Sequence, residues 1–588
     1  MPRRKVPSRR PQRPSAPRIR FGTAVCALAL LGTVAFEASP SAADGSSWDT
    51  ASEAGPWVVR VELPHRQAAQ DLSTRIDVWS LSHVDGHLVA MVTEEERRQL
   101  EAEGFALTLE EEHTRTLRRL GTPLEGQAGG IPGFPCYRTV EETFATAEGL
   151  AQSRPDLATW IDIGDSWRKT QDPAAGYDLR VLKLTRGSIP GPKPVFFASF
   201  AIHAREYTTA ELGTRFAERL VADYGVDPDV TWLLDHHEIH LLLQANPDGR
   251  KRAETGILWR KNVNNDYCGN TNSRGADLNR NFAFRWNCCG GSSGDPCSDA
   301  YRGALAASEP EIQAHQAYVA SIFPDQRPDA LDAPVDPGAT GVAIDVHSFG
   351  ELVLWPWGLT TQTAPDHVAL RTLGRKLAFW NDYRPIKVTD LVLADGGSAD
   401  FYYGELGVAG FGFELGTTFF QGCTTFEADI VPGNLEALLY GAKAARSPYT
   451  SPSGPEALGA AVAAVRGDGS VLLTATLDDT RSSTANGIEP SQAITSAEAF
   501  VATPPWAPGA VPVAMAASDG TFDGAVEAVE VLLDVSQLPV GRHLLYVRGT
   551  DASGTTGIVD AVFLDVELEP LIFADGFEAG NLDAWSGP

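Results

Sequence analysis

Residues 195–206 read VFFASFAIHARE. The first eight are apolar except for one Ser, too few for an ordinary helix, and they carry the pattern of a strand buried on both faces. Three further runs share it: EIHLLLQA at 238–245, GVAIDVHS at 341–348 and GFGFELG at 410–416. Helical stretches such as TTAELGTRFAERLVADYG, 208–225, lie between them. The alternation predicts an α/β domain over 136–447 with a largely buried sheet. Polar residues follow the strands, where open α/β sheets place their sites.

Outward from this domain the pattern changes. Residues 56–112 form a small α+β unit. PWVVRVEL and HLVAMVT read as strands, and TEEERRQLEAEGF as a Thr-capped helix that stops at Gly104. FALTLEEE reads as a further strand. Residues 113–135 are a Gly/Pro-rich linker with a basic pair, Arg118-Arg119, a site open to proteolysis. After the break SPYTSPSGP, residues 456–567 hold short strands between Gly, Asp and Pro turns, which predicts a β-sandwich. Residues 568–588 form an acidic-aromatic tail.

The chain has 588 residues, more than one core accommodates. Its formal charge of -28 argues against a nucleic-acid surface. A basic leader, the apolar run FGTAVCALALLGTVAF and the small residues of SPSAAD predict an export signal over 1–43, so the mature protein is expected outside the cell. The alternative is a retained anchor, which the short run disfavours, and no stable membrane insertion is expected after signal removal. Beyond Cys26 the cysteines are Cys136, Cys268, Cys288, Cys289, Cys297 and Cys423. An even number in an exported chain suggests disulfides, with 15 pairings open. No pair of CxxC motifs supports a Cys-based zinc site.

His203 and Glu206 are spaced i, i+3, which puts an imidazole and a carboxylate on one side of a turn. His347 ends another apolar strand and offers a third ligand. Two His and one Glu with a fourth position open make a catalytic zinc site. Glu414 sits between Phe413 and Leu415, where apolar surroundings raise a carboxyl pKa toward proton-transfer range. Its alternative reading is a satisfied buried acid. Asn279 and Arg280 in DLNRNF suit a carboxylate, and Arg260 in LWRKN suits a developing oxyanion. The cluster His236, His237, His240 in DHHEIH reads as ordinary edge or turn histidines.

HARE, NPDGR, WRKN, DLNRNF, PCSDAYRG, SEPE, VHSFG, GGSADF and FELG occur in that order over 136–447. In this the sequence resembles the metallocarboxypeptidase family typified by pancreatic carboxypeptidases A and B, and is closer to its secreted bacterial members, which implies a carboxypeptidase-like α/β/α domain with a mixed, mostly buried sheet. The resemblance implies that His203, Glu206 and His347 hold one zinc ion and that Glu414 is the general base and acid. It implies that Arg260 stabilises the oxyanion, that Asn279 and Arg280 bind the substrate's terminal carboxylate, and that Asp277 orients His203. Arg205 would line an upstream subsite. Ala399 would stand at the base of the specificity pocket, where basic-selective relatives place an acid, so apolar or aromatic C-terminal residues are expected. Calcium is allowed by NVNNDY and nearby Asp residues.

There are departures. Val392 stands where the family often has a mobile Tyr, with Tyr402 and Tyr403 out of register, and Phe349 replaces a common Tyr. Residues 56–112 resemble a prosegment and 456–567 an immunoglobulin-like module. The expected partners are peptides and proteins with a free C-terminus, acted on by a monomer. Two rivals stand beside this reading: a related zinc amide hydrolase acting on cell-wall peptides or acyl-amino acids, and a non-catalytic peptide-binding protein.

Overall fold

A computed structural model of the chain describes residues 55–83, 85–466 and 468–567. The expected signal (1–43) and tail (568–588) lie outside the described residues. No helix among the described residues is long and apolar enough to cross a membrane.

The N-terminal strands are β1 (Trp57–Glu62), β2 (Asp77–Ser82), β3 (His87–Val92) and β4 (Leu107–Leu109), paired in the order β2-β3-β1-β4. The helix Glu94–Ala102 is entered through a capping box in which Thr93 and Glu96 satisfy each other's backbone amides. Gly104 follows at φ +92. The strand expected from FALTLEEE is only three residues long. Its acidic end instead starts the helix Glu111–Leu117, where carboxylates favour the positive end of the helix dipole. Arg118 and Arg119 follow that helix, both exposed.

The central strands are β5 (Ala158–Asp165), β6 (Asp178–Leu184), β7 (Val195–Phe200), β8 (Glu238–Leu242), β9 (Val342–His347), β10 (Leu352–Trp355), β11 (Arg384–Lys387) and β12 (Ala409–Glu414). They form one mixed sheet in the order β11-β10-β12-β9-β7-β8-β6-β5. Every residue of β7 and β9 is buried, which is why both read as continuous apolar runs. β12, β9 and β7 are parallel neighbours. Their C-terminal ends therefore share one edge of the sheet, with Glu414 level with His347.

The C-terminal strands are β13 (Glu456–Val462), β14 (Ser470–Asp478), β15 (Ile494–Val501), β16 (Val513–Ala517), β17 (Val526–Asp534), β18 (Gly541–Asp551) and β19 (Asp560–Val566). They pair antiparallel in the order β13-β14-β17-β16-β15-β18-β19. The sheet rolls around its own core, which includes Val471, Leu473, Val529 and Val547. β13 and β16 escape a reading by propensity because Ala and Gly outweigh β-branched residues in them.

The six cysteines pair as Cys136–Cys423, Cys268–Cys297 and Cys288–Cys289.

Candidate active site

The ends of β7 and β9 bring His203, Glu206 and His347 together, although 144 residues separate the two histidines. Their ligand atoms lie within 4.8 Å of one another. His203 Nδ1 is 2.8 Å from Glu206 Oε1 and 3.1 Å from His347 Nδ1. The outer nitrogens are backed by buried carboxylates: His203 Nε2 by Asp277 at 3.1 Å and His347 Nε2 by Asp345 at 3.0 Å. A carboxylate behind Nε2 fixes the proton there and turns the Nδ1 lone pair inward. Two inward lone pairs, with Glu206 between them and Asp277 and Asp345 behind, leave buried negative charge that a cation neutralises. The donor set fits zinc with one position left for water or substrate.

Asp277 holds three groups at once. One oxygen faces His203 and accepts from the Asn279 backbone amide; the other accepts two bonds from the Arg260 guanidinium, at 3.2 and 2.9 Å. Arg260 Nη1 reaches to 3.3 Å from His203 Nδ1, so the guanidinium borders the metal position. Arg280 gives Nε to the Gly291 carbonyl and Nη1 to its neighbour's, and lines the cavity with Asn279. Asn279 Oδ1 accepts from the Ser398 amide. Gly396, at φ +70, lets this GGS loop approach: a Cβ there would lie 2.4 Å from the Arg280 carbonyl oxygen. Burial pushes the Glu414 carboxyl up to about 8, helped by Glu206 and opposed by His347 and Arg260. A bound cation would act in the lowering direction.

Asp345 is the functional residue that sequence reasoning passed over. It bonds His347, accepts from Ser199 Oγ at 2.7 Å and from Ser398 Oγ at 2.6 Å, and so ties the metal position to the pocket loop. The signal was present in GVAIDVHS: residues i and i+2 of a strand face the same side, and Asp345 stands two before His347.

The site opens into a cavity of about 690 Å³. Beyond Glu414 its wall is apolar, with Leu354, Ile386, Val388, Leu391, Ala399 and Gly412. The two nearby acids are occupied. Asp395 accepts from Ser292 and from the amides of Cys289 and Gly291, and Asp400 accepts from those of Gly358 and Leu359. Burial, with Asp395 alongside, pushes Asp400 up to about 7. Val392 and Phe349 line the cavity. Tyr402 and Tyr403 instead bond His315 and Asp366, so neither supplies the missing lid tyrosine.

Three expectations meet a different geometry. Arg205 does not line the cavity: it is 1% exposed and held by both carboxylate oxygens of Asp77 on β2. Calcium finds no support: the cluster of three or more His, Cys, Asp or Glu ligands among the described residues is His203, Glu206, His347. In NVNNDY, Asn262 and Asn264 bond Glu309 instead. The DHHEIH histidines stay outside the site, as expected, but inside the fold. His237 and His240 are buried, with His240 bonded to Tyr318 and His237 against Trp506.

An open donor set with a protonatable carboxyl beside it and an arginine pair across from it defines a metal-dependent hydrolase. The family model for zinc carboxypeptidases matches residues 144–439, half of the chain, and the protein belongs to that family. It is 29% identical over 314 residues to carboxypeptidase A1 of Bos taurus, covering 52% of this chain and 68% of that protein. Over 320 residues it is 30% identical to carboxypeptidase A4 of Mus musculus, covering 52% and 69%. The crystal structure of carboxypeptidase A from Helicoverpa armigera matches with a TM-score of 0.54 at 22% identity, covering 67% of this chain and 98% of that one. Thrombin activatable fibrinolysis inhibitor matches at 0.52, 22%, 66% and 98%. These structures carry the fold alone.

Proposed function

We propose that the protein is an exported zinc carboxypeptidase, made with a covering prosegment, that removes apolar or aromatic residues from the C-termini of peptides and proteins. The observation that carries this reading is the pairing of Asn279 and Arg280 with an apolar cavity wall at Ala399. A guanidinium and an amide select a carboxylate, and the two acids nearest Ala399, Asp395 and Asp400, already accept hydrogen bonds from the protein.

His203, Glu206 and His347 would hold zinc, which polarises a carbonyl and acidifies water when bound. Arg280 and Asn279 fix the terminal carboxylate and so place the last peptide bond beside Glu414. Asn279 Nδ2 lies 3.1 Å from His347 Nε2; with the Nε2 proton given to Asp345, that nitrogen accepts nothing and the Asn279 amide is left to donate to substrate. Glu414 takes the proton of the attacking water and returns it to the leaving amine. Arg260, steadied by Asp277, donates to the oxyanion that forms.

The N-terminal unit supplies a roof to the cavity from Ile76 to His83, and Asp77 occupies Arg205. Three disulfides suit an oxidising compartment. We read the C-terminal unit as an immunoglobulin-like accessory module.

The test is a peptide and its C-terminal amide, compared on zinc-loaded protein. Loss of one partner of a buried charged pair costs about 2–5 kcal/mol, so the amide should be cleaved roughly 30-fold to several thousand-fold more slowly. Equal rates would replace this reading with that of a broader amide hydrolase.

A further inference from the structure

The sheet ends at β11, whose outer edge is where unpaired backbone groups would ordinarily face water. Here it is met by the loop between β14 and β15 of the C-terminal module. Asn486 donates its side-chain amide to the Pro385 carbonyl at 2.9 Å. The same loop reaches the substrate cleft: Ala485 and Asn486 border the cavity that contains Glu414 and His347. We propose that residues 479–493 form a wall of that cleft, and that Ala485 and Asn486 set how large a C-terminal side chain the enzyme accepts.

The loop is fixed, not merely adjacent. Glu489 sits between Arg371 and Arg375, at 3.0 and 2.7 Å, and also accepts from the Thr372 hydroxyl. The Glu489 and Arg375 side chains are only 10% and 9% exposed, so water screens their attraction weakly. Arg375 also donates to the Asn486 carbonyl, and its own carbonyl accepts from the Ser483 amide at 2.9 Å. Gly487 makes the turn at φ +96, where a Cβ would strike the Arg375 guanidinium. Every anchor lies on the helix His367–Asn381 or on β11.

β11 carries this placement into the pocket. Its Ile386 packs with Leu352, Leu354, Val388 and Leu391, the apolar group on the pocket side. A contact that holds Pro385 therefore holds the neighbouring residue that a bulky substrate side chain would touch. The small Ala485 leaves room at the rim. The C-terminal module thus belongs to the specificity apparatus of the central domain.

The inference rests on the carboxypeptidase reading. Its test uses full-length, zinc-loaded enzyme and four peptides that differ only in a last residue of Ala, Leu, Phe or Trp. Ala485 is exposed, so A485W fills the rim without disturbing a core, and a thermal melt checks this. A485W should lower kcat/KM for the Phe and Trp peptides about tenfold relative to the Ala peptide, the scale of steric discrimination in an apolar pocket. N486A, which frees β11, should reduce the wild-type preference between Trp and Ala by about threefold. Unchanged ratios in both variants, or an equal loss on all four peptides, overturn the proposal. If the wild type cleaves none of the four, the carboxypeptidase reading itself falls before any variant is compared.

Discussion

The central domain is joined to two flanking units, and the two junctions are built differently. The N-terminal unit meets it through one buried ion pair, Asp77–Arg205, and a scatter of single bonds to main-chain groups. Arg66 reaches the Asp390 carbonyl, His83 the Leu391 carbonyl, and Gln70 the Leu393 amide. It also contributes Val58, Trp79 and Val89 to the central core, with Trp79 edge-on to Phe419. The C-terminal module contributes Phe500, Tyr546, Ile558, Val559 and Ala561 to the central core. Trp506 packs against Trp232, His236 and Arg446, and Lys376 is paired with Glu456. Apolar burial does not depend on a single bond, whereas a junction centred on one ion pair opens when that pair is lost. On the proposed function, the first junction is read as a removable cover and the second as a permanent seam.

The strongest way to break this contrast is to remove the cover. Cleavage after Arg119, followed by dissociation of the N-terminal unit, should raise kcat/KM on a short peptide by about 10²–10³-fold. That factor corresponds to about 3–4 kcal/mol, within the range for breaking a buried ion pair. Rates before and after limited proteolysis check it. Equal rates would make the N-terminal unit as permanent as the C-terminal one.

A smaller effect isolates the ion pair. Asp77→Asn keeps the shape of the cover and removes its charge from Arg205. Uncut protein carrying this change should gain about 10- to 100-fold in kcat/KM, less than removal gives, because Trp79 and the main-chain bonds remain. The same substitution in trimmed enzyme should change nothing, since Asp77 is gone.

Much of this was legible in the residues. The buried strands announced the sheet because parallel strands covered on both faces cannot alternate, and the polar residues at their ends announced the site. His203, Glu206, His347 and Glu414 were found that way, and the sheet assembles them. Arg205 was legible as a residue but not in its contact. Its partner lies 128 positions away on β2, a strand that DVWSLS signals weakly, with three polar residues in six. Asp345 was hidden for the opposite reason, inside a run whose apolar character made it look like core alone. The disulfides could not be chosen, because Cys136 and Cys423 meet only once the whole central domain has folded.

The seam offers a control. Trp506→Ala should cost about 1–2 kcal/mol, discounted from a full core truncation because Trp506 is only partly buried. At roughly 2–4 °C per kcal/mol for a unit of this size, Tm should fall by about 2–8 °C. The ratio of trimmed to uncut activity should stay where it was. A change in that ratio would mean that the seam also gates the site.

The smallest expected effect is that of pH on the cover. Burial pushes the Asp77 carboxyl up, but the Arg205 guanidinium outweighs it and holds the group below its usual range. A carboxyl with a depressed pKa contributes its stability above its free value, near 3.9, and loses it as pH falls through the depressed one. The ion pair is therefore complete from pH 8 to pH 5 and cannot open the cover in that window. Asp299, beside it in the cavity, has the opposite sign: burial first, and then the negative charge of Asp77, push it up to about 6. With the cover gone, Asp77 no longer repels it, so the closed form holds that proton more tightly than the open form. Linkage then makes closure slightly firmer as pH falls through 6. In a His83→Gln background, which removes the opposite pull of an imidazole that burial holds below its usual range, the ratio of trimmed to uncut kcat/KM should rise by about two- to fivefold between pH 8 and pH 5. Asp299→Asn should flatten the profile. A ratio that falls on acidification would show that the cover is held by groups other than Asp77 and Arg205.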